Sequence, residues 1–150
     1  MAAKSATFDN DLLKLIFQAV NIANIADNTA TAPLTTLFVA LHTADPSTTA
    51  GAGTLGAQNA SEISYTGYAR VSVARTSGGF TVTAASVSPA AAITFGQMTL
   101  GTGGTVTFWS VGVAVSGATK ILYSGPVSPT IAVAVGVTPQ LTTATAVTEA

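Results

Sequence analysis

Apolar side chains recur along this chain with two different periods, and the change falls near Pro33. From Phe8 to Ile25 the spacings are mostly three and four, which is the period of an amphipathic α-helix. Thr7 is placed to cap the start of that helix, and Pro33 lies beyond its predicted end. After Pro33 the pattern becomes that of β-strands. The sequence therefore predicts an N-terminal helical arm over residues 1–30 and a β-domain over residues 31–150.

Short apolar runs separated by Gly, Pro and Ser predict about eight strands in the β-domain. They are Leu37–Leu41, Ile63–Arg75 with a bulge at Gly67, Phe80–Ala84, Ala91–Phe95, Thr105–Val115, Lys120–Tyr123, Thr130–Val135 and Leu141–Val147. Because no helices alternate with them, a parallel sheet is not expected. The pattern is typical of a mainly β protein, an antiparallel sandwich or a small barrel. The long loop 46–62 is rich in small residues, and a loop of that length is expected to be functional or mobile.

Charged residues are scarce, and this narrows the possible functions. They make up 7% of the chain, against about 25% in an average soluble domain. Since surface charge usually keeps a monomer soluble, we expect partner proteins to cover much of this surface. A neutral secreted β-protein is the alternative, but no signal peptide is evident. The five basic residues are scattered, so nucleic acid is not an expected partner, and no apolar stretch is long enough to predict a membrane span.

Candidate chemistry is sparse. His42 is the only histidine and stands three residues before Asp45, so it could be a general base oriented by that carboxylate. We favour a structural role, in which a histidine at the end of a strand bonds to a carboxylate in the turn. There is no cysteine for a thiolate metal site, and no pair of acids is placed for glycoside hydrolysis. The sequence therefore predicts no enzyme activity, catalytic residue, metal or cofactor.

Aromatic and arginine side chains offer a candidate interface instead. Tyr65 and Tyr68 are near Arg70 and Arg75, and Tyr and Arg are common interface anchors. Core packing is the plainer explanation, and stacking of sugars on Tyr65 or Trp109 is a third. The candidate interface residues are Phe8, Leu12, Leu13, Ile16, Phe17, Val20, Tyr65, Tyr68, Arg70 and Arg75.

Three segments carry a family resemblance. LFVALHTADP at 37–46, EISYTGYARVSVAR at 62–75 and GATKILYSG at 117–125 resemble recurring segments of virion proteins from tailed bacteriophages. Such proteins are often labelled tail-fibre or minor structural proteins, and some are similar to capsid cement proteins with a jelly-roll fold. One departure is the Phe-Trp-Ser sequence at 108–110, where a stretch like His-Phe-Gly is expected.

The resemblance implies an antiparallel β-sandwich of jelly-roll type that acts as a capsid cement, or decoration, protein. Such a protein is made in the host cytoplasm and binds the exterior of the head lattice. The major capsid protein is then the partner, and the chain is a homo-oligomer, dimer or trimer. The helix and loop 46–62 are the expected contacts. The alternative is a tail-fibre or tail-associated module that binds a receptor or glycan. A polysaccharide depolymerase is disfavoured by the small number of acids.

Overall fold

The computed structural model describes residues 6–21, 34–49 and 51–148, with only the backbone described for residues 6–9. One helix, α1, spans Ala6–Gln18. The strands of the described residues are β1 Thr36–His42, β2 Val71–Ala74, β3 Phe80–Thr83, β4 Ser86–Pro89, β5 Ile93–Thr94, β6 Gly104–Gly112, β7 Ile121–Val133, β8 Gln140–Leu141 and β9 Val147–Thr148. The prediction of a mainly β protein with one N-terminal helix is confirmed.

The strands form three antiparallel sheets in a sandwich-like arrangement. The main sheet has the order β2-β1-β6-β7, and the smaller ones have the orders β3-β4-β9 and β5-β8. The centre of the main sheet is β1, where Leu37, Val39 and Leu41 alternate as buried residues. Toward its end Ala40 and His42 are buried as well, so both faces of the strand are covered there. The antiparallel sandwich is confirmed, whereas the jelly-roll connectivity stays a prediction.

Two predicted strands near the C-terminal end are one strand in the structure. β7 joins the runs predicted at 120–123 and 130–135 into a single strand of 13 residues. Its pairing with β6 passes from Phe108↔Pro126 to Val106↔Ile131, so residues 127–130 form a wide irregularity. Proline cannot donate to a ladder, and β7 is an edge strand of the main sheet, where Pro126 is tolerated.

Other strand predictions need correction. Of the strand predicted over Ile63–Arg75, only Val71–Ala74 forms a strand of a sheet. The residues before Val71 leave the strand where the backbone of Gly67 packs directly on the backbone of Gln97. The approach is so close that a Cβ at Gly67 would lie 2.2 Å from the carbonyl oxygen of Gln97. The sequence pattern missed β4, which follows a turn with no glycine. The run predicted at 141–147 is not one strand, since it begins in β8 and ends in β9 with irregular backbone between them.

Helix α1 packs against the β-domain of its own chain. Leu13 and Phe17 are fully buried in the same hydrophobic core as the sheets, and the rings of Phe17 and Phe80 meet edge to face at 4.9 Å. The helix ends at Gln18 because Ala19 takes a left-handed φ of 56°. It is shorter than the predicted span to Ile25, and Thr7 lies within its first turn rather than at the cap. Residues 22–33, which include the predicted domain boundary, lie outside the described residues.

In the described part of the chain, no helix combines the length and the apolar composition that crossing a membrane requires.

Candidate functional site

A buried polar network lies where the end of β1 meets the loops 43–62 and 113–119. The polar or charged residues buried among the described residues are His42, Gln58, Ser61, Arg70 and Ser110. Burying such groups costs free energy unless they are hydrogen-bonded, so their partners indicate what the network does.

Arg70 is the centre of this network. Its Nε and Nη2 donate to the two carboxylate oxygens of Glu62 at 2.8 and 2.7 Å, which is the bidentate geometry of a strong ion pair. Nη2 also donates to the carbonyl oxygen of Gly117 at 2.8 Å. Nη1 donates to the carbonyl oxygen of Ala114 at 3.0 Å and to Oγ1 of Thr119 at 3.1 Å. One guanidinium therefore fixes loop 113–119 against loop 43–62.

Gln58 extends the network to the main sheet. Its Oε1 accepts from Nη1 of Arg70 at 3.1 Å, and its Nε2 donates to the carbonyl oxygen of Phe38 at 2.7 Å. Its backbone N–H donates to the carbonyl oxygen of Thr119 at 2.8 Å. A Cβ at Gly112 would lie 2.2 Å from Oε1 of Gln58, so the amide fits only over a glycine of β6.

Tyr68 completes the shell around Glu62. Its hydroxyl donates to Oε1 of Glu62 at 2.9 Å and accepts from the backbone N–H of Leu41 at 3.1 Å. Burial, together with the adjacent Glu62 carboxylate, raises the pKa of Tyr68, so the phenol stays protonated and remains a donor. The ring of Tyr68 stacks on Phe95 with the centroids 6.1 Å apart.

His42 and Ser110 form a second buried pair. Nδ1 of His42 lies 2.8 Å from the carbonyl oxygen of Ala60, which can only accept, so Nδ1 carries the proton. Burial lowers the pKa of His42, so the ring is neutral and Nε2 accepts from Oγ of Ser110 at 2.7 Å. A serine and a histidine at this distance resemble a nucleophile and its base. Both side chains are fully buried, however, and no substrate reaches them in this conformation.

The predicted bond between His42 and the turn carboxylate is wrong. Asp45 accepts instead from the backbone N–H and the hydroxyl of Ser47, at 2.9 and 2.7 Å. Its pKa is lowered because these hydrogen bonds outweigh the raising effect of burial. Asp45 therefore stabilises its own turn. Ser110, in the segment that departs from the family pattern, is the partner that the sequence did not reveal.

Loop 46–62 is closed on itself by backbone hydrogen bonds. Gly56 donates to Pro46 at 2.9 Å, and Ser61 donates to Ala52 at 3.0 Å. A Cβ at Gly53, whose φ is 122°, would lie 2.1 Å from the carbonyl oxygen of Asn59. The loop is therefore a preformed wall, apart from residue 50, which is outside the described residues.

A cleft of about 630 Å³ opens between this loop and loop 113–119, and we call it the loop cleft. Its lining residues are Ala52, Gly53, Asn59, Glu62, Ile63, Ser64, Tyr68, Ala69, Arg70, Val115, Ser116 and Gly117. The volume lies within the usual range for small-molecule sites. Among the described residues, no group of three His, Cys, Asp or Glu side chains is placed to hold a metal ion.

Several candidate interface residues are used within the chain. Leu13, Phe17, Tyr65 and Arg70 are buried, whereas Val20 is 48% exposed. Leu12, Ile16 and Tyr68 are half-buried, and the side chain of Phe8 lies outside the described residues. Their contact with another protein stays a prediction. Gln58, Asn59 and Ser116 were not predicted as site residues, because Gln58 and Ser116 stand in no motif and Asn59 stands only in a formal glycosylation sequence, Asn-Ala-Ser at 59–61. Glu62 could have been suspected as an acid close to Arg70.

Arg75 binds the end of the helix. Its guanidinium donates to the carbonyl oxygens of Leu15 and Ile16 in the last turn of α1, and to that of Leu34 at 3.1 Å. No basic residue of the helix itself lies in that turn, so Arg75 supplies the positive charge that a helix C-terminus favours. Partial burial lowers its pKa.

The three resembling segments supply most of the network. His42 comes from the first, Glu62, Tyr68 and Arg70 from the second, and Thr119 from the third. The fold and this network define a small β-rich protein with a preformed cleft between two loops that a buried ion pair holds in place.

Comparison with known proteins gives the family. A family model described as Podophage GP4 fiber I protein gp80 matches residues 3–148. The chain belongs to this family of phage fibre proteins, and it is a structural component of a bacteriophage virion. No curated protein matches the sequence. The resemblance to phage virion proteins is thereby confirmed, whereas cement activity and a position on the capsid exterior stay predictions.

Proposed function

We propose that the chain is a non-enzymatic module of a phage fibre that acts through assembly and recognition. The observation that carries this proposal is the match to a fibre-protein family over residues 3–148. The buried network supports the proposal, because the hydrogen bonds of Arg70 hold loops in place. Rigid loops on a β-scaffold are a common basis for recognition surfaces.

Self-association is part of the proposal. Leu100 is 69% exposed and Val135 is 64% exposed. Their segments lie side by side, since Gly136 donates to the carbonyl oxygen of Met98 at 2.8 Å. Exposed apolar groups in one region favour contact with another protein surface. Together with the low charge of the chain, they favour a homo-oligomer.

Locating the protein on the particle tests this function. We expect antibody-bound gold to label fibres, and quantitative mass spectrometry to give far fewer copies than of the major capsid protein. Particles that lack the gene should keep stable heads but lose fibres and adsorb less to cells. Labelling spread over the head lattice, with heads that become fragile without the protein, would instead support the cement function.

A further inference from the structure

We infer that the loop cleft binds a neutral oligosaccharide. This inference rests on the proposed function, in which the chain acts through recognition. The case is built from the charge of the cleft, its unused hydrogen-bonding groups and its rigidity.

The charge of the cleft favours an uncharged ligand. Glu62 and Arg70 are the only ionic residues in its lining, and they neutralise each other in a bidentate pair. Every nitrogen of the Arg70 guanidinium already donates to a protein acceptor. A phosphate, sulfate or carboxylate would therefore find no free cation, whereas sugar hydroxyls need none.

The unused polar groups suit a sugar diol. From the described residues, Oε2 of Glu62 accepts one hydrogen bond, donated by Arg70, and a carboxylate oxygen can accept two. Oδ1 of Asn59 accepts from the backbone N–H of Thr54 at 3.2 Å. The NH₂ group of the same side chain donates to no described residue. The hydroxyls of Ser64 and Ser116 are exposed and are likewise unpaired within the described residues. Acceptor and donors thus face the same space, as hydroxyl recognition requires.

The apolar part of the cleft suits the carbon face of a sugar ring. Ala69 and Val115 line the cleft beside the half-buried Tyr68, whose ring packs on Tyr65 and Phe95. Val115 is 60% exposed, so an apolar side chain borders the polar groups. A pyranose combines hydroxyls at its edge with C–H groups on its faces, so an exposed apolar side chain beside polar groups matches that combination.

The cleft is less suited to a peptide strand. Strand addition needs free backbone acceptors, yet the carbonyl oxygen of Gly117 accepts from Arg70 and that of Ala52 accepts from Ser61. The two walls are also held in place before any ligand arrives. Preformed walls lower the entropic cost of binding a weakly interacting ligand such as a sugar.

The test uses the full chain and an array of neutral oligosaccharides built from hexose, 6-deoxyhexose and N-acetylhexosamine units. Sialylated and phosphorylated counterparts are printed beside them. Ser64→Trp and Ser116→Trp fill the cleft from exposed positions, so folding is preserved. Ser77→Trp is the matched control, because Ser77 is exposed in a turn outside the cleft. We expect binding of neutral glycans that falls at least tenfold in both cleft variants and is unchanged in the control.

Three results would overturn the inference. The first is that the chain binds no neutral glycan. The second is that binding survives in both cleft variants, and the third is that the cleft binds acidic glycans or peptides in preference to neutral sugars. Glycan binding that fails in a protein located on fibres overturns this inference alone. A protein that binds glycans but is absent from fibres overturns the proposed function alone.

Discussion

Arg70 and Glu62 pair through two hydrogen bonds of 2.8 and 2.7 Å, with the guanidinium side chain only 2% exposed. A buried ion pair often contributes little net stability, because removing both charges from water is costly. Its clearer role here is positional. The same guanidinium reaches the carbonyl oxygens of Ala114 and Gly117, so it holds two loops that lack a ladder of strand hydrogen bonds between them.

Replacing Arg70 tests that role. Arg70→Ala removes both guanidinium donors of the Glu62 carboxylate, which keeps the Tyr68 hydroxyl, and leaves Oε1 of Gln58 without its donor. Losing one partner of a buried pair costs about 3–5 kcal/mol. Arg70→Lys should lose less stability than Arg70→Ala, because it keeps the positive charge. It should not retain all of the stability, because one ammonium cannot reproduce the bidentate geometry. Urea denaturation measures the loss. Lys120→Ala is the control, because Lys120 is exposed and its removal should change stability by no more than about 0.5 kcal/mol. An equally small change in Arg70→Ala would contradict the bracing role.

His42 should make the protein less stable as the pH falls below about 6.5. Burial holds the pKa of His42 below its ordinary value of 6.5 in the folded state, so the unfolded chain binds the proton first. The stability is therefore complete above that pH and is lost as the pH falls toward the folded pKa, by at most about 1.4 kcal/mol per pH unit. Thermal unfolding followed between about pH 7.5 and 5.5 measures the slope.

His42→Gln is the control for this pH effect. Because His42 is the only histidine in the chain, the dependence of stability on pH between about pH 6.5 and 5.5 should disappear in this variant. Ser110→Ala should lower stability by about 1–3 kcal/mol, because Nε2 of His42 then lacks its buried donor. A slope that persists in His42→Gln would mean that another group titrates in this range.

The sequence predicted those parts of the fold in which apolar periodicity and burial coincide. Leu37–Leu41 lies within β1, because its alternating side chains fill the centre of the main sheet. Ile63–Arg75 reads equally well as a strand, yet contacts distant in sequence override it. The approach of Gly67 to Gln97, 30 residues away along the chain, cannot be found from local periodicity.

The candidate site was only partly visible in the sequence. Tyr68 and Arg70 were predicted to lie on the strand Ile63–Arg75, in which alternate residues such as Arg70 and Ser72 would share a face. In the structure Ser72 is exposed, whereas Arg70 is buried. Which partners a buried guanidinium finds depends on where the loops 43–62 and 113–119 close, and loop closure leaves no periodic signal. The family resemblance did identify the segments that meet in the network, although not the bonds between them.

Arg75 should control how firmly the end of α1 is held. Arg75→Ala removes the donor to the carbonyl oxygens of Leu15 and Ile16, and we expect a loss of about 1 kcal/mol after allowing for solvent screening. Hydrogen exchange should show faster opening of the helix than of β6. Arg75→Lys keeps the charge and should lose less. Equal exchange rates in both variants and the wild type would show that Leu13 and Phe17 suffice to hold the helix.

The turn between β3 and β4 offers a stabilising change. Ala84 and Ala85 occupy it with φ values of 50° and 61°, a conformation that costs an alanine about 1 kcal/mol or more. Two-residue hairpin turns with both residues left-handed favour Asn-Gly. We therefore expect the double variant Ala84→Asn, Ala85→Gly to raise the free energy of unfolding by about 1–2 kcal/mol. The backbone N–H of residue 85 can still donate to Oδ1 of Asn10, so helix docking is retained.

Ala132→Gly separates this effect from a general response to glycine. Ala132 is exposed in β7 and lies outside the positions with positive φ. Glycine there only adds freedom to the unfolded chain, so stability should fall by about 0.5–1 kcal/mol. Opposite signs for the turn variant and the strand variant in the same urea titration support a strained turn. A loss of stability in both would mean that Ala84 and Ala85 are not strained in the folded protein.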